Sequence, residues 1–234
     1  MLESPRVLEP DAALPAVPRH PAPWLLRASA YVFAVHMPEE ILDREAFVPE
    51  GLVGKRRSRT AVGMFVDYQT ADCGPYQELL VAPASFAFDG GTYPTITRIY
   101  VSTYDSVVNG RLNWGIPKDL ADFSVQQDGN STSIRVSRDA HTFAELELRA
   151  RGPKLPVQSW LIPAGLRTLM QVWQGKSYRF TLSARGSMRM ASVSSWQFDS
   201  AYFPDLARGK VIAAAYLPSF EMTFPESEVR DLAP

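Results

Sequence analysis

Apolar runs of strand length, rich in aromatic and β-branched residues, recur along the chain, and in one pair of segments apolar and polar residues alternate with a period of two; both patterns predict strands. Residues 28–36 (ASAYVFAVH) and 60–68 (TAVGMFVDY) are aromatic and β-branched runs of strand length. Residues 75–88 (PYQELLVAPASFAF) and 94–102 (PTITRIYVS) follow, separated by the turn DGGTY. TSIRVS and HTFAELELRA alternate around the break RDA and predict a hairpin. Residues 177–198 read as another hairpin with Gly186 near its turn, and 210–224 as a late strand interrupted at Pro218. Helical pattern is scarcer. PEEILDREAF opens on a proline and two acids, which suits a first turn and its dipole. Residues 102–113 (STYDSVVNGRLN) predict a helix entered through Ser102 or Thr103, and PDLARG a single turn ending at glycine. The sum is one α+β domain over residues 24–234, mostly antiparallel β, with a curved or closed sheet and few short helices.

Composition changes this picture at one end. Six prolines fall within residues 1–24, so residues 1–23 read as an extended surface arm. Such an arm either embraces a neighbouring subunit or lies as a loose tail. Those prolines also stand where a signal peptide would need an apolar core, and a single cysteine, Cys73, suits a reducing compartment. A cytoplasmic protein is the expectation. No apolar run reaches the length of a membrane helix. The net charge of −1 gives no general attraction to nucleic acid or anionic membrane. The dense basic run GKRRSR (54–59) is short and reads as a solvated loop or an anion-gripping loop at a pocket mouth.

Metal chemistry finds little support, because His20, His36 and His141 are scattered without partners at ligand spacing. No phosphate loop and no G-x-S-x-G elbow appear. Cys73, without a basic neighbour, reads as a small hydrophobe rather than a nucleophile. Neither a metal nor a cofactor is expected. Lys118 is different. It follows Trp-Gly-Ile-Pro in a segment apolar enough to be core, and lysine is seldom fully buried unless paired. Either its charge snorkels to the surface or its amine is wanted in a dry place.

GRLNWGIPKDLA (110–121) resembles the signature of the acetoacetate decarboxylase family, in which Gly-Arg-Glu, an aromatic, a proline and a lysine pair recur. FVPEGL (47–52) resembles that family's Val-Pro-Glu-x-Leu turn, GPYQE (74–78) its Gly-x-Tyr-x-Glu segment, and AAAYLPSFEMTF its closing strand. The likeness spans roughly residues 24 to 225. It implies the family's curved sheet enclosing a pocket, and a homo-oligomer. It also implies that Lys118 forms a Schiff base, that Glu78 moves protons or holds the amine, and that Arg27 meets a substrate carboxylate. A neutral amine is needed to attack a ketone, whereas free lysine, with a pKa near 10.4, is almost wholly charged at pH 7; burial favours the neutral form. Three positions depart from the pattern: Asp119 replaces the second lysine, Leu112 the glutamate after Gly-Arg, and Gly63 falls near a second family glutamate.

The function implied is a lyase acting on a keto acid or related ketone, first by decarboxylation through Lys118. The alternatives are an aldolase-dehydratase in the same pocket, or a noncovalent biosynthetic enzyme or binding protein that uses Lys118 only as a cation.

Overall fold

The structure, a computed structural model, describes residues 7–161 and 163–232. Strands run in the order β1 (Trp24–His36), β2 (Thr60–Thr70), β3 (Tyr76–Ala82), β4 (Ser85–Phe88), β5 (Gly91–Pro94), β6 (Arg98–Val101), β7 (Lys118–Leu120) and β8 (Asp122–Asp128). They continue with β9 (Ser131–Arg138), β10 (His141–Gln158), β11 (Thr168–Trp173), β12 (Lys176–Thr181), β13 (Ser183–Phe198), β14 (Lys210–Phe224) and β15 (Glu228–Asp231). The α-helices are short: α1 (Glu39–Arg44), α2 (Tyr104–Trp114) and α3 (Ala164–Arg167).

Ten strands form one sheet in the order β7-β6-β3-β2-β1-β14-β13-β10-β9-β8. Its pairings are antiparallel except for β6 and β7, which run parallel. The two edge strands, β7 and β8, are consecutive in the chain and separated by Ala121 alone. The sheet therefore curls until its edges meet, giving a nearly closed barrel, the mostly antiparallel architecture expected from the strand-rich sequence.

Alternation divides the core between the two faces. Tyr31, Phe33, Phe65, Leu79 and Tyr100 feed one cluster. Leu26, Ala28, Val66, Leu80, Ile99 and Val101 feed the other, which α2 covers with Val107 and Trp114. Several local signals act as read. Thr103 caps α2 by accepting from Ser106 N, and Asp139 and Ala140, with φ of 51° and 63°, turn β9 into β10.

Other expectations give way. The stretch 75–88 breaks into β3 and β4 around Pro83, which has no N–H to continue a ladder. The stretch 177–198 is not a hairpin, because β12 and β13 belong to different sheets. Gly186 sits inside β13, where a Cβ would lie 2.4 Å from the Ser219 carbonyl oxygen, so close strand approach and not a turn requires it. Pro218 does not end β14; it lies at a register shift against both neighbouring strands.

Residues 1–6 of the expected arm lie outside the described residues. Within residues 7–23, Glu9 and Asp11 meet Arg111 of α2, and Pro18 to His20 pack on the same helix. The Asn109 side chain accepts from His20 N at 2.8 Å and donates to the Pro18 carbonyl at 3.0 Å. Asn113 donates to the His20 carbonyl at 2.8 Å.

Candidate active site

The segment before Lys118 explains its placement. α2 ends at Trp114, and Gly115 adopts the left-handed conformation (φ 61°) with its N–H on the Arg111 carbonyl at 2.9 Å. A Cβ there would meet Tyr178 Cδ2 at 2.4 Å, so glycine is needed for space as well as for φ. Ile116 and Pro117 complete the turn, and β7 runs back beneath the helix it has just left. Trp114 anchors that helix end, with its ring edge-on to Trp24 at 4.9 Å and its Nε1 donating to the Pro225 carbonyl at 2.7 Å.

Lys118 points up at the underside of α2. Ser106 and Gly110, four residues apart, share that face. A Cβ on Gly110 would stand 2.5 Å from Lys118 Cδ and 2.8 Å from Cε, so the glycine is the slot through which the side chain passes. Arg111 holds the other end of the residue, its Nε donating to the Lys118 carbonyl at 2.9 Å. The Gly-Arg and Pro-Lys halves of the motif are thus parts of one clamp.

Lys118 is 3% exposed. Its Nζ donates to Glu78 Oε2 at 3.0 Å and to Ser106 Oγ at 2.9 Å, with the Tyr76 hydroxyl at 3.4 Å. Glu78 is equally buried, and its Oε1 accepts from Tyr68 OH at 3.4 Å. Register explains the assembly: Val66 pairs Glu78 and Tyr68 pairs Tyr76 across β2 and β3, so Tyr68, Tyr76 and Glu78 share one face. The Tyr68 and Tyr76 rings lie 4.5 Å apart. Burial first, and the Glu78 charge second, pushes both phenols well above the ordinary tyrosine range. They remain protonated donors. Burial likewise drives the Cys73 thiol up to about 11, against the opposing pull of Lys118, so it is not a ready nucleophile.

Of the three residues singled out in the sequence, the structure brings Lys118 and Glu78 together. Arg27 lies elsewhere. Leu26 and Ala28, its neighbours in β1, face the cluster that holds Tyr68 and Tyr76, so Arg27 faces the opposite way. Its side chain is 62% exposed and pairs with Glu221 at 3.0 Å, beside a groove of about 710 Å³ that also includes Trp160 and Arg185.

The departures from the family pattern also point away from the amine. Asp119, one residue along β7, turns to the other face and pairs with Arg138. Leu112 is exposed, and a Cβ on Gly63 would face Leu206 and Phe33 in the other core cluster. The expected loss of a pocket acid at Gly63 therefore does not touch Lys118. Of the basic run 54–59, Arg56 pairs with Asp43 and Arg59 with Glu39, away from this site.

Sequence reasoning gave no role to Tyr68, Tyr76 or Ser106. Tyr76 was within reach, since it stands two residues before Glu78 on a strand. Ser106 stands four before Gly110 on a helix. Tyr68 depends on strand register and had no local signal. Among the described residues no three His, Cys, Asp or Glu side chains are grouped to hold a metal, and no helix is long and apolar enough to cross a membrane.

The family model of acetoacetate decarboxylase matches residues 12–201. No curated protein matches the sequence significantly. Among solved structures, one of acetoacetate decarboxylase superposes with a TM-score of 0.71 at 14% identity, covering 97% of this chain and 95% of that one. An acetoacetate decarboxylase-like enzyme from Sphingomonas wittichii RW1 gives 0.69 at 12% identity, covering 91% and 94%. The enduracididine biosynthesis enzyme MppR, complexed with pyruvate, gives 0.62 at 12% identity, covering 89% and 90%. These likenesses are to the fold, and the family match extends over most of the sequence: the chain belongs to the acetoacetate decarboxylase family.

Proposed function

We propose that the protein is an imine-forming lyase, acting on a keto acid or related ketone through Lys118, with decarboxylation as its first reaction. The observation that carries this reading is the buried amine 3.0 Å from a buried carboxylate, Glu78. A buried ion pair is a poor investment in stability against an apolar pair of the same shape. It serves chemistry well, because the proton that must leave the ammonium has an acceptor at hydrogen-bond distance.

The steps balance within this pair. Glu78 takes a proton from the Lys118 ammonium. The freed Nζ attacks the substrate carbonyl carbon, and the carbinolamine oxygen leaves as water with the proton that Glu78 held. The iminium then faces the Glu78 carboxylate. For a β-keto acid, the bond to the carboxylate breaks, carbon dioxide departs, and the electron pair moves onto nitrogen as an enamine. Protonation at carbon and hydrolysis release the ketone and restore the amine. The apolar shell of Ile99, Val101, Val107 and Trp114 excludes water that would compete for these protons.

A second reading, aldol condensation with dehydration, is favoured by the hydroxyls of Ser106 and Tyr76 at the amine, since dehydration needs a proton for the departing hydroxyl. MppR, whose structures hold pyruvate and its condensation product with imidazole 4-carboxaldehyde, acts as a precedent in the same fold for substrates of that kind. The test is intact mass after borohydride with a panel of keto acids and ketones. A reduced adduct that maps to Lys118 and vanishes in Lys118→Ala supports the reading. Turnover that survives Lys118→Ala unchanged would sink it.

A further inference from the structure

Ser106 is wholly buried, and its Oγ lies 2.9 Å from Lys118 Nζ, a shorter contact than the amine makes with Glu78. The Tyr76 hydroxyl stands 3.4 Å from the same Nζ, and its ring packs 4.5 Å from that of Tyr68. Tyr68 reaches Glu78 Oε1, and Glu78 Oε2 returns to Nζ. Five polar groups thus gather inside an apolar shell, with Lys118 Nζ at their centre. The three donors of the ammonium match Ser106, Glu78 and Tyr76, whereas the neutral amine that attacks a carbonyl has only two, which Glu78 and Tyr76 can take. The hydroxyl adds something else.

We propose that Ser106 is a catalytic proton carrier in imine formation, passing a proton between Lys118 Nζ and the carbonyl oxygen under attack. The inference rests on Lys118 being the imine-forming residue. As Nζ bonds to the carbonyl carbon, the π electrons move to oxygen and the nitrogen becomes acidic. Ser106 Oγ accepts the N–H proton while its own O–H proton goes to the developing alkoxide. Serine ends neutral, and no ion is left in the dry site. A hydroxyl suits this relay because it donates and accepts at once. Tyr76 is less well placed at 3.4 Å. The second proton, which releases water, comes from Glu78, so the two groups divide the two transfers.

The test follows the time course of borohydride-trapped adduct in the full-length protein, with pyruvate and with 2,4-pentanedione as probes. Ser106→Ala is expected to slow adduct formation by about tenfold or more. The final extent of labelling should stay at the wild-type value, the urea midpoint should fall by no more than the loss of one buried hydrogen bond brings, and Ser106→Thr, which restores a hydroxyl, should recover most of the rate. Wild-type rates in Ser106→Ala overturn the proposal. So does a parallel loss of rate, extent and unfolding midpoint in Ser106→Ala, which would mark the serine as a structural partner. If the wild-type protein itself forms no adduct at Lys118 with either probe, the imine reading fails and the relay with it. A slow but complete reaction in Ser106→Ala alone separates the relay from the reading beneath it.

Discussion

Gly110→Ala probes the Lys118 slot directly. The added methyl would stand 2.5 Å from Lys118 Cδ and 2.8 Å from Cε, where carbon atoms at rest keep about 3.5–4.0 Å. The lysine stem must therefore withdraw by about 1 Å. Helix propensity alone favours alanine over glycine by up to about 1 kcal/mol, while overpacking a filled site costs about 1–3 kcal/mol. The net loss of stability should lie between nothing and about 2 kcal/mol, and the protein stays folded. Activity should fall much further. Moving Nζ by about 1 Å takes contacts of 2.9 and 3.0 Å beyond hydrogen-bond range, and a misplacement of that size can cost about a hundredfold in rate. The assay pairs the rate of borohydride-trapped adduct with urea unfolding. Gly51→Ala serves as the control, because nothing lies within 4 Å of its added Cβ. Should Gly110→Ala form adduct within about twofold of the wild-type rate while folded, the slot has another purpose and the reasoning fails.

Glu78→Gln keeps the side-chain shape and removes the proton acceptor, so turnover should drop about a hundredfold or more while substrate binding changes little; steady-state kinetics on any substrate found by trapping would show the split. Arg27→Ala should leave trapping at Lys118 unchanged for ketones and keto acids alike, because Arg27 faces the other side of β1; a selective loss with keto acids would place it on the substrate's path. Glu45→Gln should raise the unfolding midpoint at pH 7. Burial, outweighing Arg208, holds the Glu45 carboxyl above its ordinary value near 4.5, so the folded protein binds that proton more tightly than the unfolded chain. Ionisation of Glu45 then costs stability as pH rises through that range, and the advantage of glutamine should fade below about pH 4 in a thermal series. The chain should also associate, as expected of a homo-oligomer; sizing of the intact protein beside one lacking residues 1–22 checks this, and a monomer in both defeats it.

Aromatic and β-branched runs were enough to find β1 and β2, and period-two alternation around a turn found the β9–β10 hairpin, because each rests on short-range signals. The errors fall where a long-range partner decides. Gly186 looks like a turn until the β14 backbone is seen against it. Arg27 shows the same limit at the site. Both faces of β1 are lined by apolar residues, Tyr31, Phe33 and Val35 on one and Leu26, Ala28 and Ala30 on the other. Alternation then says which residues share a face and not which face meets Lys118. Asp119 was ambiguous because β7 is three residues long and leaves no period to read.

The motif itself is legible for a physical reason. Gly110, Arg111, Gly115 and Lys118 act on one another within nine residues, so their spacing is fixed by the helix, its left-handed cap and the return strand. These residues fix where the amine stands. They do not fix what surrounds it, since the polar groups around Nζ come from β2, β3 and the first turn of α2, outside the clamp. On the proposed mechanism, a chain that kept Gly-Arg and Pro-Lys but changed Tyr68, Tyr76 or Ser106 would hold its lysine in the same place with different proton donors beside it. Substitutions in the clamp should therefore slow adduct formation to a similar degree whatever the substrate. Substitutions at Tyr68, Tyr76 or Ser106 should change the relative rates of imine formation, decarboxylation and dehydration while the lysine remains trappable.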